Sequence, residues 1–296
     1  IANRWFVAKK GIVVGALTAA TATGQLIFLP LLSHFALTYG WKSVSLTVGG
    51  ASALVVPFIY FFLKEKPESL GITPYGAPDD WQPTAPHDMS AGKLAIDTAV
   101  QSSKSRDFWI LFGTFFVCGL STNGLIGTRF MPAAHDHWMP TTVAASLLVL
   151  IGVFDVIGTI FSGYLTDRID PRKLLFFYYG LRGLSLFLLP SILYSTLHPS
   201  TLVFIIFYGL DWVATVPPTI VLCRHVLGPQ RATVVYGWVF VGHQIGASVA
   251  AIGAAVLRVK LGDYAISFYI SATMCLVAAL AVLQIAKTKT SAELRG

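Results

Sequence analysis

The chain has 296 residues, 55% of them hydrophobic and only 12% charged, with a formal net charge of +7 and a mean hydropathy of +0.69. A soluble domain carries about a quarter charged residues, so this composition excludes the soluble classes and leaves an all-α membrane protein. The basic balance does not point to nucleic acid, because the bases are scattered among short polar breaks rather than gathered on one face.

Apolar runs of about 20 residues cross the hydrocarbon core of a bilayer. Eight such runs are expected, near 11–33, 43–63, 108–130, 142–164, 173–194, 200–222, 232–257 and 264–286. The chain opens at Ile1 and enters the first run directly, with no cleavable signal, which reads as the middle of a longer protein. An even number of spans puts both ends on one side. With that side cytoplasmic, sixteen Lys and Arg fall inside and four outside (Lys42, Arg129, Arg258, Lys260), and Arg182 lies within a span. That asymmetry sets the orientation, both termini inside.

The first span carries small residues at Gly15, Ala16, Ala19, Ala20 and Gly24, suited to close helix contact, and Gly40-Trp41-Lys42 forms the outer turn. Residues 64–107 are the one long polar stretch, and their prolines (Pro67, Pro74, Pro78, Pro83, Pro86) oppose regular structure in the first part. Residues 90–104 suit a surface helix with Ser90 as its cap and Leu94, Ile96, Ala99 and Val100 as a weak apolar face. Three domains are therefore expected: two helices of a first bundle (1–63), a cytoplasmic linker (64–107) and a six-helix bundle (108–296).

The third span contains Ser121-Thr122-Asn123-Gly124, a polar cluster whose glycines allow local unwinding, and then Arg129 near the outer mouth, suited to attracting anions or to snorkelling. Ionisable groups inside spans need a partner or a water-filled cavity. Asp155, Arg182, Asp211 and His243 are the four such groups in the six-helix part. At 1.5 Å per residue, Asp155, Asp211 and His243 fall roughly 18–20 Å from the cytoplasmic loops, near the bilayer middle, where secondary transporters bind solute and coupling ions. Two roles fit Asp155: proton acceptor, or fixed partner of Arg182 on the next helix. Asp211 precedes Pro217-Pro218, which permit a bend. His243 and Gln244 lie between Gly242 and Gly246, and an imidazole there can carry a proton or bond an anion. Cys118, Cys223 and Cys275 have no metal spacing and read as packing residues. His135-Asp136-His137 has no fourth metal ligand nearby, and no P-loop, nucleotide fingerprint or nucleophile elbow is present, so no metal, cofactor or enzyme chemistry is expected.

The hairpin Gly163-Tyr-Leu-Thr-Asp-Arg-Ile-Asp-Pro-Arg-Lys173 joins the fourth and fifth spans. Its Gly163, Leu165, Asp167, Arg168, Arg172 and Lys173 resemble the G-x-L-x-D-R-x-x-x-R-[KR] loop of the major facilitator superfamily, in the copy that belongs to the second half. That resemblance implies a twelve-helix transporter whose first four helices precede this chain, and a gating role for the loop. Asn3-Arg4-Trp5-Phe6, Gly40-Trp41-Lys42, Lys66-Pro67-Glu68-Ser69-Leu70-Gly71 and Gly242-His243-Gln244-Ile245-Gly246 are similar to the monocarboxylate and oxalate/formate branch. The branch places an acid in the fourth span with a base one turn later. Here that position is Thr159, which leaves Arg182 as the replacement base or a solute that is not a simple carboxylate. The resemblance implies secondary transport of a small organic solute, a carboxylate among the candidates, by alternating access in the plasma (inner) membrane. Proton coupling would run through Asp155, Asp211 or His243, and Asn123, Arg182 and Gln244 would complete the pathway. Partners are then lipid, an anionic solute and the preceding helices. The other reading is a non-transporting sensor or scaffold on the same fold. Eight spans alone are not expected to transport.

Overall fold

The computed structural model describes residues 5–6, 10–64, 67–78, 90–194, 196, 198–228 and 230–286. Expectations that rest on Asn3, Arg4, Lys9, Lys66, Pro83, Pro86, Lys287, Lys289 and Arg295, or on the side chains of Lys10 and Ala19, lie outside the described residues.

The elements are α1 (Lys10–Tyr39), α2 (Trp41–Phe62), the short α3 (Ala91–Ser102), α4 (Arg106–Asp136), α5 (Thr141–Thr166), α6 (Pro171–Ile192), α7 (Pro199–Leu227), α8 (Ala232–Leu261) and α9 (Ala265–Val282). Seven of them, α2 and α4 to α9, are long and apolar enough to cross a membrane, and α1 is a continuous helix of 30 residues where the first span is expected. The chain is an all-α, multi-pass integral membrane protein.

Helices α4 to α9 pack into one bundle: α4 lies along α8 and α9, α5 along α7, and α6 along α9. Phe115, Tyr179, Leu186, Tyr208, Val239 and Phe268 fill its centre. Glycines set the closest crossings. A Cβ on Gly246 of α8 would fall 2.0 Å from the Phe116 carbonyl oxygen of α4, and one on Gly158 of α5 would fall 1.9 Å from that of Leu210 on α7. Neither crossing admits a side chain, so backbones touch there, as small residues permit in membranes. These contacts bring Asp155, Asp211 and His243 toward one interior. Helix α1 packs along α5, where Gly15 faces Thr159 and Gly163, while α2 packs against α1 and has no buried residue.

Two spans are irregular. In α4 the polar cluster sits in a π-helical turn, Leu120–Ile126. In α7 the helix stops at Asp211 and restarts at Val216, with residues 212–215 in turns and Pro217 and Pro218 opening the new segment. Proline suits a first helical turn and disfavours helical geometry just before it, so the expected bend is a break placed upstream of the two prolines.

Helix α3 forms as expected over 91–102, but it docks by another face. Thr98 and Ser102 are buried, whereas Ile96 and Val100 are exposed. Trp238 of α8 donates to the Ala95 carbonyl (3.0 Å) and Arg231 pairs with Asp97 (2.7 Å), and these cross-links decide which side turns inward. Ser90 occupies the N-cap position without a side-chain cap bond. The Arg231 guanidinium and the Gln101 amide, both bonded to Asp97, hold its carboxyl below the usual carboxylate range.

Candidate functional site: a buried polar network across five helices

The break in α7 leaves backbone groups at membrane depth, where no water is available unless a cavity supplies it. Side chains from α5 and α6 satisfy them. Asp155 Oδ1 accepts from the Val213 amide (3.0 Å) and from Thr159 Oγ1 (2.9 Å). Ser162 Oγ donates to the Ala214 carbonyl (2.5 Å). Arg182 Nη2 donates to the carbonyls of Asp211 (2.5 Å) and Trp212 (3.2 Å). Thr159 therefore orients Asp155, and Asp155 satisfies an amide inside the break between the two segments of α7.

Arg182 ties the network together. Its Nε donates to Asp211 Oδ2 at 2.6 Å, a buried ion pair between α6 and α7. Its third nitrogen, Nη1, reaches α4, at 3.3 Å from Cys118 Sγ and 3.4 Å from Ser121 Oγ. Tyr208 donates its hydroxyl to the Ser121 carbonyl (2.8 Å), and Thr215 Oγ1 stands 3.3 Å from the thiol. The His243 imidazole of α8 also neighbours the Cys118 thiol, and its ring packs against Phe240 (ring centroids 5.2 Å, interplanar 6°) and Phe115 (5.2 Å). Arg182, Asp155, Asp211 and His243 are 1, 2, 6 and 7% exposed. Two atoms in the network have no hydrogen-bond partner, Asp211 Oδ1 and His243 Nδ1.

Sequence reading thus singled out the four ionisable residues, and the structure brings them into one neighbourhood. Of the two roles that fit Asp155, the ion pair with Arg182 is not formed: Arg182 pairs with Asp211, one helix further on. Asn123 is not in the network, and Gln244 meets it at its edge, through the His243 ring. Both are exposed, and Gln244 lies in an open groove of about 480 Å³ on the outer face of α8, with Phe240, Val241, Ile245, Ser248, Val249 and Ile252. Adjacent on α8, His243 and Gln244 point to different surroundings because successive helical residues are rotated by about 100°. Arg129 is half-buried and donates to the Ala251 carbonyl of α8. Asp136 is taken by Arg258 (2.6 Å), and His137 Nδ1 contacts the Ala133 carbonyl (2.9 Å).

Reading Cys118 as a packing residue needs correction, since its sulfur is the meeting point of Arg182, Thr215 and His243. The signal was present: Cys118 lies three residues before Ser121, hence on the same face of α4 as the polar cluster. Cys223 and Cys275 are buried in the apolar core.

In the 163–173 hairpin the charge pairing runs through a residue outside the motif positions. Asp170 caps α6 by accepting from the Arg172 amide (3.0 Å) and binds the Arg172 guanidinium (2.7 Å). Arg172 also donates to the Ile285 carbonyl past the end of α9 (2.8 Å). Arg168 lies over its own Tyr164 ring at 3.6 Å, Lys173 is exposed, and Gly163 sits where α1 crosses. Asp167 lies near Arg224 of α7. Partial burial works against the Asp170 charge, but the Arg172 bonds outweigh it and hold the carboxyl below its ordinary range.

Comparison with known proteins agrees with this architecture. The chain is 26% identical over 222 residues to YcxA of Bacillus subtilis, an uncharacterized transporter of the facilitator type, covering 73% of this chain and 49% of that one. It is 25% identical to monocarboxylate transporter 12-B of Danio rerio, over 95% of this chain and 62% of the relative. Against the sialic acid transporter NanX of Escherichia coli the identity is 26%, over 66% and 43%. The chain therefore spans about two fifths to three fifths of these relatives. Residues 1–251 match the profile of the Major Facilitator Superfamily. With that match over most of its length, this bundle of membrane helices belongs to the Major Facilitator Superfamily, a family of transporters and not of enzymes.

Proposed function

We propose that the protein of which this chain is part is a secondary active transporter that moves a small organic anion, a carboxylate, across the plasma membrane by alternating access. The observation that carries this reading is the Arg182–Asp211 ion pair, held inside the bundle beside a broken helix and a π-turn. A buried ion pair is a poor device for stability alone, because desolvation offsets most of the attraction. Irregular backbone at membrane depth is tolerated where it lines or borders a solute site. Arg182 then serves as the base that Thr159 does not supply.

The exposed polar side chains Asn123 and Gln244 extend the reading. On lipid-facing surfaces they would be costly, whereas a wet cavity between this bundle and a second one accommodates them. That second bundle is formed by α1, α2 and four helices that precede them in the parent, with the linker and both ends of this chain cytoplasmic. The 163–173 hairpin, pinned by Asp170–Arg172 to the end of α9, closes the cytoplasmic side. A proton travels with the solute by way of Asp211, whose second oxygen has no partner, or of Asp155 or His243.

Uptake of a solute panel by the full-length parent in liposomes tests this, with and without an inward proton gradient. Carboxylate uptake stimulated by the gradient is expected, together with its loss in at least one of Asp155→Asn, Asp211→Asn and His243→Gln. Gradient-independent uptake that survives all three substitutions overturns the coupling, and no uptake of any solute overturns the transporter reading.

A further inference from the structure

The Arg182 guanidinium is unevenly satisfied. Its Nε and Nη2 have carboxylate and carbonyl oxygens at 2.5–2.6 Å, whereas Nη1 has only a thiol at 3.3 Å and a hydroxyl at 3.4 Å. Sulfur is a weak acceptor, and an always-charged guanidinium edge is matched by a carboxylate. His243, almost fully buried, also neighbours this thiol, and its Nδ1 lacks a partner. A buried donor left on weak partners and a buried imidazole with one unsatisfied nitrogen thus both neighbour Cys118. Each such orphan is disfavoured unless something fills it for part of the working cycle.

We propose that Cys118 is a solute-contacting residue: its thiol holds the place beside Arg182 Nη1 that one oxygen of a carried monocarboxylate takes, while His243 receives the other oxygen. This rests on the transporter reading and adds the contact atoms and a third residue to it. The π-turn begins two residues after Cys118, at Leu120, and such turns let a helix shift its register locally, which gives the sulfur a way to withdraw.

The test uses the full-length parent in liposomes and a small neutral thiol reagent, methyl methanethiosulfonate. The Cys118 thiolate attacks its divalent sulfur, a mixed disulfide forms, and methanesulfinate leaves with the electron pair of the broken bond. Mass spectrometry then reports Cys118, Cys223 and Cys275 separately, without reliance on any variant. Cys118 is expected to label as the protein cycles. Acetate or benzoate, whichever the protein carries, slows that labelling roughly tenfold at ten times its half-saturating concentration, as simple occupancy requires. The matching amide does not slow it, and Cys223 and Cys275 do not respond. Cys118 that never labels, or that labels equally with and without a carboxylate the protein carries, overturns the inference and leaves the transporter reading standing. A parent that carries no solute removes both.

Discussion

Arg182 is the residue on which most of the interior depends. It neutralises Asp211 and satisfies two carbonyls of the α7 break at once. Removing one partner of a buried pair strands the other charge, so Arg182→Ala should cost about 3–5 kcal/mol. Adding Asp211→Asn to that variant removes the stranded charge and should restore about 1 kcal/mol or more of it, a coupling that unconnected sites lack. Thermal unfolding of the four proteins of this cycle in detergent measures it, and strict additivity would separate the two residues. All four ionisable residues were legible in the sequence, because charge is rare in apolar runs and stands out at a shared depth. Their partners were not. Whether Arg182 meets Asp155 or Asp211 depends on helix rotation and on where α7 breaks, and Cys118 was hidden because a thiol reads as apolar until its neighbours are known.

At the scale of elements, spans and boundaries followed from run length and from Gly and Pro punctuation, usually within a few residues. What the pattern missed is side. Of the weak apolar face expected on α3, Leu94 and Ala99 are half-buried but Ile96 and Val100 are exposed, and Thr98 and Ser102 turn inward where Asp97 and the Ala95 carbonyl are held by Arg231 and Trp238. Asp97 has a depressed carboxyl pKa in the folded state. Its contribution is therefore present above the unfolded value of about 4 and is lost only as the pH falls through the still lower folded value. Protection of the 91–102 amides, relative to their intrinsic exchange rates, should be high at pH 6–8, fall below about pH 4, and be lowered at neutral pH by Asp97→Asn. Exchange that is equally fast in both proteins at pH 7 would show that the ion pair does not hold α3. At the start of α6, Asp170→Ala removes a cap and the partner of Arg172, and a loss of about 1 kcal/mol is expected by thermal unfolding. The signature motif drew attention to Asp167, Arg168, Arg172 and Lys173. The capping role of Asp170 was readable from Asp-Pro at a helix start, a local signal that the longer pattern overshadowed.

At the scale of the molecule, one six-helix bundle carries the polar network, and α1 packs along its α5; in the proposed mechanism α1 and α2 belong to a second bundle. Alternating access needs two bundles moving about a shared site. Residues 1–296 alone, reconstituted in liposomes, should therefore show no carboxylate flux above protein-free vesicles, and any such flux would place the whole mechanism within this chain. The family was legible because the 163–173 loop combines charge, glycine and spacing between two spans. The solute was not, because in the proposed mechanism it is chosen by a few atoms around Arg182, whose arrangement depends on how several helices pack. The central claim is that the Arg182–Asp211 pair binds a carried anion. Its most direct test is uptake of a monocarboxylate panel by the full-length parent and by Arg182→Gln, each first shown to be folded by its elution profile. Uptake of at least one carboxylate by the parent and none by the variant is predicted, and a folded variant that matches the parent's uptake would contradict the account.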